Sequence, residues 1–144
     1  MHYMKFVYLL QIMIFLIPYF LRGWFAPISI FALVLIGILA FIIHETLHII
    51  VINKKGDISL TFSGLFFWLH TNAILSKPRF WLFMSLPLIV LSVVPALASF
   101  FLSGNLKLIL LFVSWINAVI SASYIINSLL IAIKPKNSIF CKGY

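Results

Sequence analysis

The sequence predicts an all-α polytopic membrane protein, with four transmembrane helices and a small β-hairpin between the second and third. Three observations carry this. Hydrophobic residues make up 65% of the 144 positions and charged residues 8%, at a mean hydropathy of +1.23, which is the composition of a chain solvated by lipid. The apolar residues fall in long runs separated by short clusters of Lys, Arg, Gly, Pro and Asn. One stretch, between Asp57 and Lys77, breaks the pattern and alternates apolar with polar. Residues 1–144 read as a single membrane-embedded domain with no room for a separate globular one.

The first span is expected from about Met4 to Phe20, with Pro18 near its end and Arg22-Gly23 closing it. Tyr3, Tyr8, Tyr19 and Trp24 sit where interfacial aromatics belong. Gln11 is its only strongly polar side chain, suited to an interhelical hydrogen bond. The second span is expected from Pro27, a good first-turn residue, to about Asn53, where Lys54-Lys55-Gly56 ends it. Ile58, Leu60 and Phe62 then alternate with Ser59, Thr61 and Ser63, a period-2 strand signal. Ser63-Gly64 is a turn signal, and 65–69 is the second strand of the expected hairpin. An amphipathic surface loop is the alternative for this segment.

Lys77-Pro78-Arg79 opens the third span, expected from Phe80 to Phe101 or Leu102 and kinked by Pro87 and Pro95. After the turn Ser103-Gly104-Asn105, the fourth span is expected from Leu106 to Ile133, ending at Lys134-Pro135. Asn117, Ser121, Tyr124 and Asn127 or Ser128 recur in it at intervals of three and four, which is one helix face. Facing lipid, that stripe would be costly. It is expected to face the bundle interior.

Ten Lys and Arg against two acids give a net charge of +8. The bases flank apolar spans, so lipid headgroups and topology explain them better than nucleic acid, and no nucleic-acid partner is expected. With four spans, Lys5, Lys54, Lys55, Lys77, Arg79, Lys134, Lys136 and Lys142 fall on one side, and Arg22 and Lys107 on the other. The basic excess marks the cytoplasmic face, which would place both termini there. Cys141 is the single cysteine, so neither an internal disulfide nor a thiolate metal site is available. The first apolar run lacks a small-residue cleavage site, and no cleavable signal peptide is expected.

The stretch that carries chemistry is His44-Glu45-Thr46-Leu47-His48, an H-E-x-x-H pattern inside the apolar run from Phe31 to Ile52. On a helix, residues four apart share a face. That spacing lets both imidazoles reach one zinc ion at about 2.0–2.1 Å. Glu45, beside them, is placed to take a proton from an attacking water. Glu45 is one of only two acids in the chain, the other being Asp57. An ionisable residue inside a membrane helix costs roughly 2.5–3.5 kcal/mol on insertion scales and marks a functional site by default. The bland alternatives are a polar helix-packing patch and a proton relay without metal.

These residues resemble the zincin membrane peptidases, a family related to the site-2 protease intramembrane metallopeptidases. The resemblance rests on His-Glu-Thr-Leu-His at 44–48 and, more loosely and in order, on Gly56, the segment 58–69, Ser85-Leu86-Pro87, Asn117, Ser121-Ala122-Ser123 and Pro135. It implies zinc held by His44 and His48, Glu45 as catalytic base, and hydrolysis of peptide bonds in membrane-associated peptides or single-span proteins. It also implies an integral protein of a bacterial cell membrane. The family's last helix carries an Asp about eleven residues before its following proline, as third ligand. Counting back from Pro135 gives Tyr124, and no Asp or Glu follows Asp57. Tyr124, Asn127 and Asn117 are therefore the candidates for the third ligand or for lining the site, with His70 or Asp57 next. Catalytic zinc normally has three protein ligands, so two readings follow. One is a membrane-embedded zinc metallopeptidase. The other is a catalytically weak or inactive pseudoprotease that binds membrane peptides or a partner protein. A weaker third is a small transporter subunit with a proton or metal relay.

Overall fold

The structure, a computed structural model, describes residues 3–20, 27–52, 58–63, 66–71, 75–133 and 139–140. Helix α1 runs Tyr3–Phe20 and α2 Ile30–Ile52. Strands β1, Ile58–Ser63, and β2, Phe66–Thr71, pair antiparallel, with Ile58 opposite Thr71 and Ser63 opposite Phe66. A two-residue strand β3, Leu75–Ser76, leads directly into α3, Lys77–Leu88. A π-helical turn, Ile89–Val93, joins α3 to α4, Val94–Ser99. Helix α5, Gly104–Ile120, is followed by α6, Ala122–Ala132, and then by β4, Ile139–Phe140, which pairs antiparallel with β3.

Among the described residues, two helical stretches are long and apolar enough to cross a membrane, Ile30–Ile52 and Lys77–Ser99. A third crossing exists if α5 and α6, bent by 60° at Ser121, count as one broken span. This corrects the expectation of four spans. Helix α1 is a shorter apolar helix, Lys5–Ile17 among the described residues, and is not one of these candidate spans. The fourth expected span is not one straight helix, because the bend divides it. Nor is a single hairpin the only sheet: β3 and β4 join segments more than sixty residues apart.

Local chemistry sets the element ends. Helix α2 starts at Ile30 rather than Pro27, because Ser29 caps it: the Ser29 hydroxyl accepts from the Ala32 amide (3.3 Å), and its carbonyl accepts from the Leu33 amide (3.1 Å). At the other end, Arg79 Nε donates to the Val51 carbonyl (3.3 Å), one of the orphan acceptors of a last helical turn. Lys77 Nζ does the same at the Ala132 carbonyl of α6 (3.0 Å). Gly104 opens α5 at φ +62°, a left-handed conformation that favours glycine.

Pro87 lies inside α3 and Pro95 near the start of α4, with the π-turn between them. A π-turn widens the helix and is a recognised cause of a kink. Pro18 has no N–H and so frees the carbonyl of Ile14, four residues back. Trp115 Nε1 of α5 donates to that carbonyl (2.8 Å). Gln11 Nε2 donates to the Val119 carbonyl (3.3 Å), so Gln11 makes the interhelical bond its position suggested. These two bonds hold α1 on α5. The core is small: Val51, Ile52, Phe83 and Met84 pack together where α2 meets α3, with Tyr124 against them.

Candidate metal centre

Helix α2 buries Ala40, His44, His48, Val51 and Ile52. These positions fall three and four apart, on one stripe of the helix. The rest of the helix is largely apolar and exposed, including Ile38, Leu39, Ile42, Ile43 and Ile50. Thr46, within the motif, is exposed, and its hydroxyl bonds back to the Ile42 carbonyl (2.8 Å), which satisfies it without a neighbour. Within the motif, the fully buried side chains are the two histidines, at 0% and 1% exposure.

The two imidazoles converge through their Nε2 atoms, which lie 3.2 Å apart, with ring centroids 4.9 Å apart. Two nitrogens bound tetrahedrally to one zinc at about 2.0–2.1 Å would be separated by roughly 3.3 Å. The pair therefore fits a shared ion. Helices α3, α5 and α6 close around it. The Phe83 ring packs on His48 at 4.3 Å between centroids. Tyr124 packs on both histidines, at 4.6 Å to His48 and 5.4 Å to His44. Asn117 is fully buried, and its Oδ1 lies 2.7 Å from His44 Nδ1. The Asn117 amide nitrogen donates to the Pro87 carbonyl (3.0 Å) and to Ser92 Oγ (2.8 Å). Glu45, next to His44 in the chain, is half-buried.

The structure thus brings His44, His48, Asn117 and Tyr124 together. Asn127 is half-buried on α6, three residues beyond Tyr124. Asp57 lies outside the described residues, and of His70 only the backbone in β2 is described. No group of three or more His, Cys, Asp and Glu side chains converges among the described residues. Among the described residues the site thus has two candidate nitrogen ligands and no carboxylate or thiolate third.

The bend at Ser121 explains how both Asn117 and Tyr124 reach the histidines. Asn117 sits on α5 and Tyr124 on α6, and the 60° change of direction wraps the two helices over one site. Ser121 itself is fully buried. Sequence reading did not single out Phe83 or Ser92. Phe83 is one of many phenylalanines in apolar runs and carries no local signal. Ser92 lies between Pro87 and Pro95, and that proline pair was the available hint of an irregular turn with acceptors off the helix ladder.

Residues 37–139 match the family model described as "Putative zincin peptidase". No curated protein matches the chain. No solved structure matches it.

Proposed function

The chain belongs to that zincin peptidase family, and from this premise we propose that it is a membrane-embedded zinc metallopeptidase acting on membrane-associated peptides or single-span proteins. The observation that carries the proposal is the buried His44–His48 pair, with its Nε2 atoms 3.2 Å apart and Glu45 next in sequence. Burying two imidazoles edge to edge in an apolar bundle is costly unless something is gained there.

His44 and His48 would hold the zinc through Nε2. When bound, zinc supplies Lewis acidity that polarises a peptide carbonyl. Glu45 takes the proton of the attacking water and passes it to the leaving amine. Phe83 and Tyr124, packed on the imidazoles, exclude bulk water from the pair and fix the ring planes. Tyr124 stands where related proteins carry the third ligand, and a phenol, protonated at neutral pH, is a weaker donor than a carboxylate. The site is accordingly weaker than one with three strong ligands, and hydrolysis slow.

A second reading, a pseudoprotease that binds membrane peptides or a partner, is favoured by one observation: the missing carboxylate among the described residues. One experiment separates the two. Glu45→Gln should retain zinc and lose all cleavage of a single-span reporter, because Glu45 is the base and not a ligand. If wild type and Glu45→Gln carry zinc alike and neither cleaves, the pseudoprotease reading stands.

The orientation proposed here rests on the loop between α2 and α3. Lys54, Lys55, Lys77 and Arg79 flank it and assign it to the cytoplasm. A cysteine introduced at Lys55 should react with an impermeant thiol reagent only after the cells are opened. Labelling from outside intact cells would reverse the orientation.

A further inference from the structure

We propose that Asn117 is a positioning residue. It holds His44 as the Nδ1–H tautomer and leaves the Nε2 lone pair of His44 directed at His48. The π-turn of the α3–α4 span sets the Asn117 amide in the orientation that does this.

The argument runs from the acceptors inward. The Pro87 carbonyl can only accept a hydrogen bond. It lies 3.0 Å from one end of the Asn117 side-chain amide, so that end is the NH2. The second hydrogen of the same NH2 goes to Ser92 Oγ at 2.8 Å, inside the π-turn. Both donors of the amide are then used, and the opposite end, Oδ1, faces His44 Nδ1 at 2.7 Å. An amide oxygen cannot donate. Nδ1 therefore carries the proton, and His44 Nε2 is left as the unprotonated nitrogen.

That nitrogen is the one 3.2 Å from His48 Nε2. Metal-binding histidines commonly donate their other ring N–H to a fixed acceptor, which sets both tautomer and ring orientation. Here the acceptor is a neutral amide, itself clamped from a second helix span. Flipping the amide would set its oxygen against the Pro87 carbonyl, two acceptors facing each other at 3.0 Å, so the clamp on the NH2 end fixes the orientation. Ser114 Oγ donates to the Ser92 carbonyl at 2.8 Å, which ties the π-turn to α5 one turn before Asn117. The turn and the asparagine are thereby held as one unit.

A consequence concerns the site's third donor. Asn117 Oδ1 is held at the Nδ1 edge of His44, not at the converging Nε2 atoms, and its NH2 is a donor that cannot ligate a metal. Of the three candidates on the fourth apolar stretch, Asn117 acts behind the histidine, and the open position falls to the α6 side, where Tyr124 lies.

The tautomer does not depend on metal; only its consequence for zinc affinity rests on the metallopeptidase reading. The first measurement is therefore made on metal-free, full-length protein in detergent micelles with isotope-labelled histidine nitrogens. His44 should give the Nδ1–H pattern in wild type, and this result alone, needing no variant, tests the proposal. A wild-type His44 protonated at Nε2 instead overturns it. Asn117→Leu should shift His44 toward the Nε2–H form that predominates for a solvated imidazole. Asn117→Asp, which keeps an acceptor in place, should restore the Nδ1–H form. An unchanged tautomer in Asn117→Leu overturns the role of Asn117.

Cobalt titration then gives the second readout. Affinity should fall about 10–100-fold in Asn117→Leu and return to within a few-fold of wild type in Asn117→Asp. Equal losses in both variants would mean that Asn117 only fills space. Wild-type protein with the Nδ1–H tautomer but no cobalt binding supports the role of Asn117 and removes the metal reading.

Discussion

The two faces of α2 are both mostly apolar and meet opposite environments. The lipid-directed face carries Phe31, Leu35, Ile38, Ile42 and Ile50, all more than half exposed within the bundle. The inward stripe carries Ala40, His44, His48, Val51 and Ile52. In a water-soluble protein the inward face is the apolar one. In a bilayer hydrophobicity no longer distinguishes the two, because lipid tails are as apolar as leucine. The inward face is marked instead by what lipid cannot accept: two imidazoles, and a small alanine that lets a neighbouring helix approach.

The comparison breaks first at the histidines. His44→Ala or His48→Ala should reduce zinc content from close to one ion per chain to near zero, read by elemental analysis of purified protein. Equal zinc in wild type and the double variant would leave the inward stripe as a packing surface only.

Swapping character between the faces should come next. Leu35→Asp places a charge on the lipid face and should cost roughly 2.5–3.5 kcal/mol on insertion scales, seen as a loss of membrane-integrated protein. Ile52→Ala removes a fully buried side chain from the cluster with Val51, Phe83 and Met84. It should cost about 2–5 kcal/mol, as a deep apolar truncation does, and lower the midpoint of thermal unfolding in detergent. Phe31→Ala deletes a larger side chain, yet one 77% exposed, and should change stability by less than about 0.5 kcal/mol. Matching losses in Ile52→Ala and Phe31→Ala would show that the two faces are not distinct.

A smaller effect sharpens the chemistry of the inward face. Tyr124 packs against both imidazoles, so Tyr124→Asp should add a carboxylate beside the pair. Zinc affinity should rise about tenfold or more, a gain of roughly 1.4 kcal/mol, with faster cleavage of a single-span substrate. Unchanged affinity with zinc still on His44 and His48 would mean that the side chain at 124 does not reach the metal, and attention would pass to His70 and Asp57.

Much of this molecule is written locally. The run from Phe31 to Ile52 makes a helix long enough to cross a bilayer, and a spacing of four puts His44 and His48 on one side of it, because helical periodicity depends only on near neighbours in the chain. The helix begins at Ile30, three residues beyond Pro27, since serine signals a cap and proline a first turn and only the hydrogen bonds choose between them. The count of spans was not legible. Hydropathy sees the fourth apolar run as continuous from Leu106 to Ile133, and no proline or glycine in it announces the 60° bend at Ser121.

That bend is a tertiary decision, and so is the arrangement it allows. The asparagine and the tyrosine belong to one polar stripe in the sequence, but after the bend they approach the histidines from two helices with different partners. The sequence by itself determined which side chains cannot face lipid: His44, Glu45, His48 and Asn117 each cost too much there. Which of them touch, and through which atoms, was decided by the π-turn, the bend and the packing of α3 and α5 on α2. Hydrogen-bond partners so far apart in the chain meet only through the three-dimensional path of the helices between them, and no local pattern encodes that path.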